Sequence, residues 1–174
     1  MRSITLITTG GTIEKTYDEM SGQLLNRGSI VREMLGQLRL EDTAVAIVEL
    51  MNKDSLVMTD DDRARVVEAV RAAGGSKGQA ASSSGIVILH GTDTLTQTGE
   101  RLLRDISDPR VAIVLTGAMR PYEMKQSDAL QNLTEAIFAA GMLAPGVYCV
   151  AHGRALAFPG VRKDREHGTF RAGA

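Results

Sequence analysis

Tryptophan is absent from this 174-residue chain, and aromatic residues make up only 3% of it. So few rings leave little to stack on nucleic-acid bases or to cage a quaternary ammonium. Cysteine occurs once, at Cys149, so no intrachain disulfide can form, and a reducing cytoplasm is the expected location. The net charge of −1 gives no basic field for polyanions, which excludes nucleic acid as a partner. No apolar run approaches the roughly 18 residues that cross a bilayer. Ile4–Ile7 is too short, and too soon followed by Gly10-Gly11, for a signal peptide, so no membrane partner is expected. Several chemical signatures are missing as well. There is no Gly-Lys-Ser/Thr phosphate loop, no Gly-x-Gly-x-x-Gly turn, no Gly-x-Ser-x-Gly elbow and no metal-ligand spacing of Cys, His, Asp or Glu.

The rest is ordinary globular composition, 43% apolar and 24% charged, at a length that fits a single domain over residues 1–174. Short apolar runs alternate with amphipathic stretches. Ile4–Thr8, Ala44–Met51, Ile86–Leu89, Val111–Leu115 and Val147–Val150 read as buried strands. Between them, helices are expected over Ser29–Leu38, from Thr59 to Gly74, from Thr94 to Ile106 and over Ser127–Ala140. Thr59 caps the acidic turn Asp60-Asp61-Asp62, and Thr94 with Gln97 reads as a capping box. The last helix is expected to turn Leu130, Leu133, Ile137 and Phe138 inward. Gly74–Gly85 reads as a flexible surface loop, and the polar tail from Gly153 has no assignable pattern. The alternation predicts an α/β fold, a mainly parallel sheet with helices on both faces.

Ligands of such sheets bind beyond the carboxyl ends of the strands. Four turns stand there: Thr8-Thr9-Gly10-Gly11-Thr12, Asn52-Lys53-Asp54-Ser55, His90-Gly91-Thr92-Asp93-Thr94 and Thr116-Gly117-Ala118-Met119-Arg120-Pro121. All are rich in glycine, which admits close backbone approach, or in compact hydroxyls. With the other chemistries missing, threonine remains as the nucleophile. It needs a neighbour to take its proton or lower its pKa, and Asp93 with a desolvated lysine suits that task. Backbone N–H groups of the glycine turns suit an oxyanion. The pattern points to acyl transfer from a small amide or ester.

Thr9-Gly10-Gly11-Thr12-Ile13, His90-Gly91-Thr92-Asp93-Thr94 and Thr116-Gly117-Ala118-Met119-Arg120-Pro121, in this order and each after a strand, resemble the bacterial-type L-asparaginases and glutaminase-asparaginases. Ser127-Asp128-Ala129-Leu130-Gln131-Asn132-Leu133 is similar to a further stretch of that family, with Ala129-Leu130 where Gly-Pro is usual. The resemblance implies the family's N-terminal catalytic domain and hydrolysis of L-asparagine to L-aspartate and ammonia. It implies a threonine acyl-enzyme with no cofactor and no metal. It implies Thr12 as the N-terminal threonine nucleophile, and Thr92 and Asp93 as the second threonine and the aspartate that grips the α-amino group. Lys163, ahead of Thr169-Phe170, matches the family's lysine, and Tyr17 its loop tyrosine. Gly11, Gly91 and Ala118 are expected at the substrate. Asn52 is expected at a carboxylate-binding serine's place, and Lys53 is expected to pair with that carboxylate. The family's smaller C-terminal domain is expected to be absent. Self-association as a dimer or tetramer is expected, because relatives complete the site from a neighbour.

Two other readings stand beside hydrolysis: a module that binds asparagine or aspartate without turnover, and an anion nest at Thr9–Thr12 for a phosphate ligand. His90 and Arg120 read as structural, Asp128 as a helix-start residue and Cys149 as a small core hydrophobe.

Overall fold

The β-branched runs form one six-stranded sheet in the computed structural model, which describes residues 1–78 and 82–173. Its strands are β1 (Arg2–Gly10), β4 (Thr43–Lys53), β5 (Gly85–Leu89), β6 (Ala112–Thr116), β7 (Gly146–Ala151) and β8 (Arg154–Ala157). Their order is β4-β1-β5-β6-β7-β8. The first five are parallel and β8 returns antiparallel to β7. Two hairpins flank the sheet: β2 (Thr16–Asp18) with β3 (Gln23–Leu25), and β9 (Arg162–Asp164) with β10 (Thr169–Arg171).

Alternation along each strand divides the core into two layers. Ile86, Ile88, Ile113 and Leu115 face one layer, with Val66, Val67 and Val70 of α2 (Asp60–Ala72) and Leu95 and Leu102 of α3 (Leu95–Asp105). Val87, Leu89, Ala112 and Val114 face the other. There they meet Val31 and Met34 of α1 (Val31–Gly36) and Leu133, Ala136 and Ile137 of α4 (Ala129–Ala140). Helices therefore cover both faces, as the alternation predicts.

Several expectations need correction. β4 is an edge strand, paired only with β1, and none of its residues is fully buried. A continuous apolar run reads alike at an edge and in the centre of a sheet. Phe138 is 61% exposed, because its neighbour Ile137 takes the inward position on α4. Thr94 caps α3 without a side-chain cap bond. Its hydroxyl donates instead to the Ser55 carbonyl at 2.9 Å, so no capping box forms with Gln97. Part of the Gly74–Gly85 loop is tied down by a bridge from Ser76 to Pro109, while residues 79–81 lie outside the described ones.

At α2 the box does form: Thr59 Oγ1 accepts from the Asp62 N–H at 3.2 Å and Asp62 Oδ2 accepts from the Thr59 N–H at 2.9 Å. Thr59→Ala is expected to cost about 1 kcal/mol, read as a lower urea midpoint at unchanged m-value.

Candidate active site

The connections fix where the site falls. From β1 the chain crosses to β4 on one side, and from β5 it crosses to β6 on the other. Their carboxyl ends therefore form a topological switch point, where open α/β sheets hold ligands. β1 and β5 run in register up to Thr8 opposite Leu89. The Gly10–Thr12 and His90–Asp93 turns consequently leave from adjacent strand ends.

Glycine brings those turns into contact. Gly11 sits at φ 80°, and a Cβ there would fall 2.4 Å from the Gly91 nitrogen. The two threonines each follow one residue after this contact. Gly91 in turn packs under Ser55, since its Cβ would stand 2.5 Å from Ser55 Oγ. A Cβ on Gly117 would meet the His90 carbonyl at 2.2 Å and Thr92 Cγ2 at 3.2 Å. All four polar turns thus meet at one rim.

Thr12 opens a short 3-10 turn, Thr12–Glu14, and is half-buried. Among the described residues its hydroxyl has no hydrogen-bond partner. The turn is held from below: Asn26 Nδ2 donates to the Gly11 carbonyl at 2.9 Å, and the fully buried Glu14 accepts from the Ser29 hydroxyl. Burial pushes the Glu14 carboxyl above the ordinary glutamate value, and its Oε2 has no partner. The folded state then holds this proton more tightly than the unfolded chain, so stability falls as pH rises above about 4.5. Glu14→Gln is expected to raise Tm at pH 7, with the gain vanishing below pH 4.

Thr92 is 5% exposed and carries the most developed contact. Lys163 Nζ donates to Thr92 Oγ1 at 2.7 Å and to Asp93 Oδ1 at 2.9 Å. Arg165 Nη1 stands 2.8 Å from the same Oδ1. The Lys163 hydrogen bond, aided by Arg165, holds the Asp93 carboxyl below its ordinary range. The lysine lies on β9, far along the chain, in the polar tail that carries no readable pattern.

A polar network supports the hairpin and the Thr116–Pro121 turn together. Asp128 accepts from the Met119 and Arg120 N–H groups at 3.0–3.1 Å and from His152 Nε2 at 2.7 Å. Burial alone would raise the Asp128 carboxyl, but these bonds hold it below the ordinary value. His152 Nδ1 reaches Thr169 Oγ1 on β10 at 2.9 Å. Asp128 is therefore an organising carboxylate, more than a helix-start residue. His90 is fully buried between the Gly91 carbonyl and Thr98 Oγ1, and burial lowers its pKa to about 4. Burial pushes the Cys149 thiol up to about 12.

Two expected site residues fall elsewhere. Lys53 Nζ is held by both Asp62 oxygens at 2.8 and 2.9 Å, at the N-terminus of α2, and is committed there. Tyr17 is 56% exposed on β2. It lines a depression with Gly22, Leu24, Glu123 and Met124, and no hydrogen bond joins it to Thr12 among the described residues. The Ala118 methyl is packed in the α4-side core layer. Asn52 lies against Gly10, with both side-chain polar atoms buried and unpartnered. Ser55, two residues beyond β4, is the hydroxyl that reaches Gly91. β4 runs on to Lys53, and its register against β1 shifts between Thr8 and Gly10. Matching Met51-Asn52-Lys53-Asp54 to the family's stretch selects Asn52 and overlooks Ser55. Arg165, in the turn just after β9, also escapes a reading of the sequence.

This is thus a parallel α/β domain with two threonines at its switch point, one of them bonded to a lysine. The chain belongs to the asparaginase family: the model for "Asparaginase, N-terminal" matches residues 3–171. The L-asparaginase of Thermococcus kodakarensis is 32% identical over 143 residues, covering 82% of this chain and 42% of that protein. One component of the glutamyl-tRNA(Gln) amidotransferase of Methanococcus vannielii is 29% identical over 161 residues, covering 88% of this chain and 35% of its own. The solved thermostable T. kodakarensis L-asparaginase superposes with a TM-score of 0.85 at 29% identity, over 98% of this chain and 51% of that one. L-asparaginase I from Vibrio cholerae, at 22% identity and a TM-score of 0.77, shares the fold. The chain thus spans about half, or less, of the relatives it matches. Among the described residues no helix is long and apolar enough to cross a membrane, and no cluster of acidic, His and Cys groups is placed to hold a metal.

Proposed function

We propose that the chain hydrolyses L-asparagine to L-aspartate and ammonia through a threonine acyl-enzyme. The observation that carries this reading is the Lys163–Thr92 hydrogen bond of 2.7 Å, placed at the rim where Gly11 packs on Gly91. The unbonded Thr12 hydroxyl attacks the side-chain amide carbon. Lys163, anchored by Asp93, stabilises Thr92 Oγ1 as that oxygen takes part in moving the proton to the departing ammonia. Backbone N–H groups of the glycine turns face the developing oxyanion. Water then cleaves the ester, releasing aspartate and restoring Thr12. Ser55, at the same rim, supplies a hydroxyl for the substrate's polar end. Self-association of the chain belongs to the same reading.

Hydroxylamine competes with water for an acyl-enzyme. Ammonia release from L-asparagine, with β-aspartyl hydroxamate formed at the expense of aspartate, is the expected result. Saturable stabilisation by asparagine without ammonia would favour a binding module. The amidotransferase relatives give a second reading, transfer of the ammonia to a partner. Ammonia release only in a partner's presence would favour it.

A further inference from the structure

One imidazole joins the hairpin that carries Lys163 to the turn beside Thr92. His152 and Gly153 form the two-residue connection from β7 to β8, both at positive φ, 53° and 76°. Such a turn takes Asn-Gly most readily, so histidine stands there against the local preference. Its ring spans two elements. Nε2 stands 2.7 Å from Asp128 Oδ2, and Nδ1 stands 2.9 Å from Thr169 Oγ1. A carboxylate only accepts, so Nε2 carries a proton. On one side of the ring, Asp128 holds the Met119 and Arg120 N–H groups, just beyond the Gly117 turn that packs on Thr92. On the other, Thr169 stands opposite Asp164 in the β9–β10 ladder, next to the Phe170–Lys163 pair. Among the described residues Lys163 Nζ bonds only to Thr92 and Asp93, both on the turn after β5. The seat of the hairpin therefore decides where that nitrogen stands.

We propose that His152 is a positioning residue: by joining Asp128 to Thr169 it seats the β9–β10 hairpin so that Lys163 Nζ meets Thr92 Oγ1. The inference rests on the amidohydrolase reading above and adds a residue that acts through Lys163. A misplacement of about 1 Å at a reacting group can cost about 10²-fold in rate. Without the ring, Phe170 in the core and Arg154 on the Phe170 carbonyl at 2.7 Å still hold the hairpin to the sheet. The fold is kept, and the exact place of Lys163 is lost.

His152→Asn suits the turn at least as well as histidine and is too short to span from Asp128 to Thr169. Thr169→Val removes the same link from the other end without touching that turn, and Thr169→Ser keeps it. Two readouts are taken on each variant. The first needs no turnover: reductive methylation by formaldehyde and cyanoborohydride, followed by mass spectrometry, compares the Lys163 amine with that of Lys77, which is 65% exposed. Lys163, whose side chain is 15% exposed, is expected to react slowly in the wild-type chain and severalfold faster in His152→Asn and Thr169→Val, with Lys77 unchanged. The second is ammonia release from L-asparagine. In both variants kcat is expected to fall about tenfold with KM within about twofold. Thr169→Ser is expected to restore both readouts. In a Lys163→Met background, His152→Asn is expected to lower kcat no further. An unchanged Lys163 methylation rate in His152→Asn and Thr169→Val would overturn the proposal. So would an equal loss of kcat with and without Lys163, which would mean that His152 acts on the fold at large. Faster Lys163 methylation in the variants, with no ammonia even from the wild-type chain, would support the role of His152 and reject hydrolysis alone.

Discussion

Thr12→Ala is expected to lower ammonia release from L-asparagine by at least about 10³-fold, with far-UV circular dichroism and the thermal midpoint essentially unchanged. The hydroxyl bonds to no other group among the described residues, so its removal breaks no structural hydrogen bond. The turn that carries Thr12 is fixed by other contacts: Gly11 against Gly91, Asn26 on the Gly11 carbonyl and Glu14 beneath. Thr12→Ser keeps a hydroxyl in the same place and is expected to retain measurable turnover. Thr12→Ala with near wild-type rates would leave Thr92 as the attacking group.

The second large effect concerns the lysine. Lys163→Met is expected to reduce kcat by about 10²–10⁴-fold, the range for a positioned proton-transfer group. Two further consequences follow from the geometry. The Asp93 carboxyl loses the first of its stabilising bonds and rises toward its ordinary value, so any residual activity should depend on pH in a range where the wild-type rate is flat. Lys163 and Thr92 also act as a unit across 2.7 Å. Lys163→Met combined with Thr92→Val should therefore cost little more than either change alone. Additive losses would mean that the lysine and the threonine serve separate steps.

The strands and their order of polar turns are legible because parallel-sheet strands are continuous apolar runs, and Ile86–Leu89 or Val111–Leu115 can hardly be anything else. Thr12, Thr92 and Asp93 stand out because they closely follow such runs, and strand ends are where α/β sheets bind ligands. The tail is different. Arg162, Lys163 and Asp164 are all charged, so no hydrophobic period marks β9 as a strand. Lys163 is reachable only through a family resemblance, and its contact with Thr92 depends on a fold that brings residues 71 apart in sequence together. Likewise Tyr17 lies on a three-residue strand of a hairpin too short to leave a pattern. Lys53 looks available because nothing local shows that Asp62, on the next helix, takes its charge. Ser55 is overlooked because a strand's last residue is set by its pairing with β1, including the register shift at Gly10, which one sequence does not display. Arg165 has no local signal, and its pairing with Asp93 appears only once the hairpin is folded.

A crystal structure of the chain soaked with L-aspartate measures the central claim most directly. The account predicts that Thr12 Oγ1 and Thr92 Oγ1 both lie within about 3.5 Å of the same side-chain carboxyl group, with Lys163 still on Thr92. Aspartate bound elsewhere, or touching one threonine while the other faces away from it, would contradict the claim.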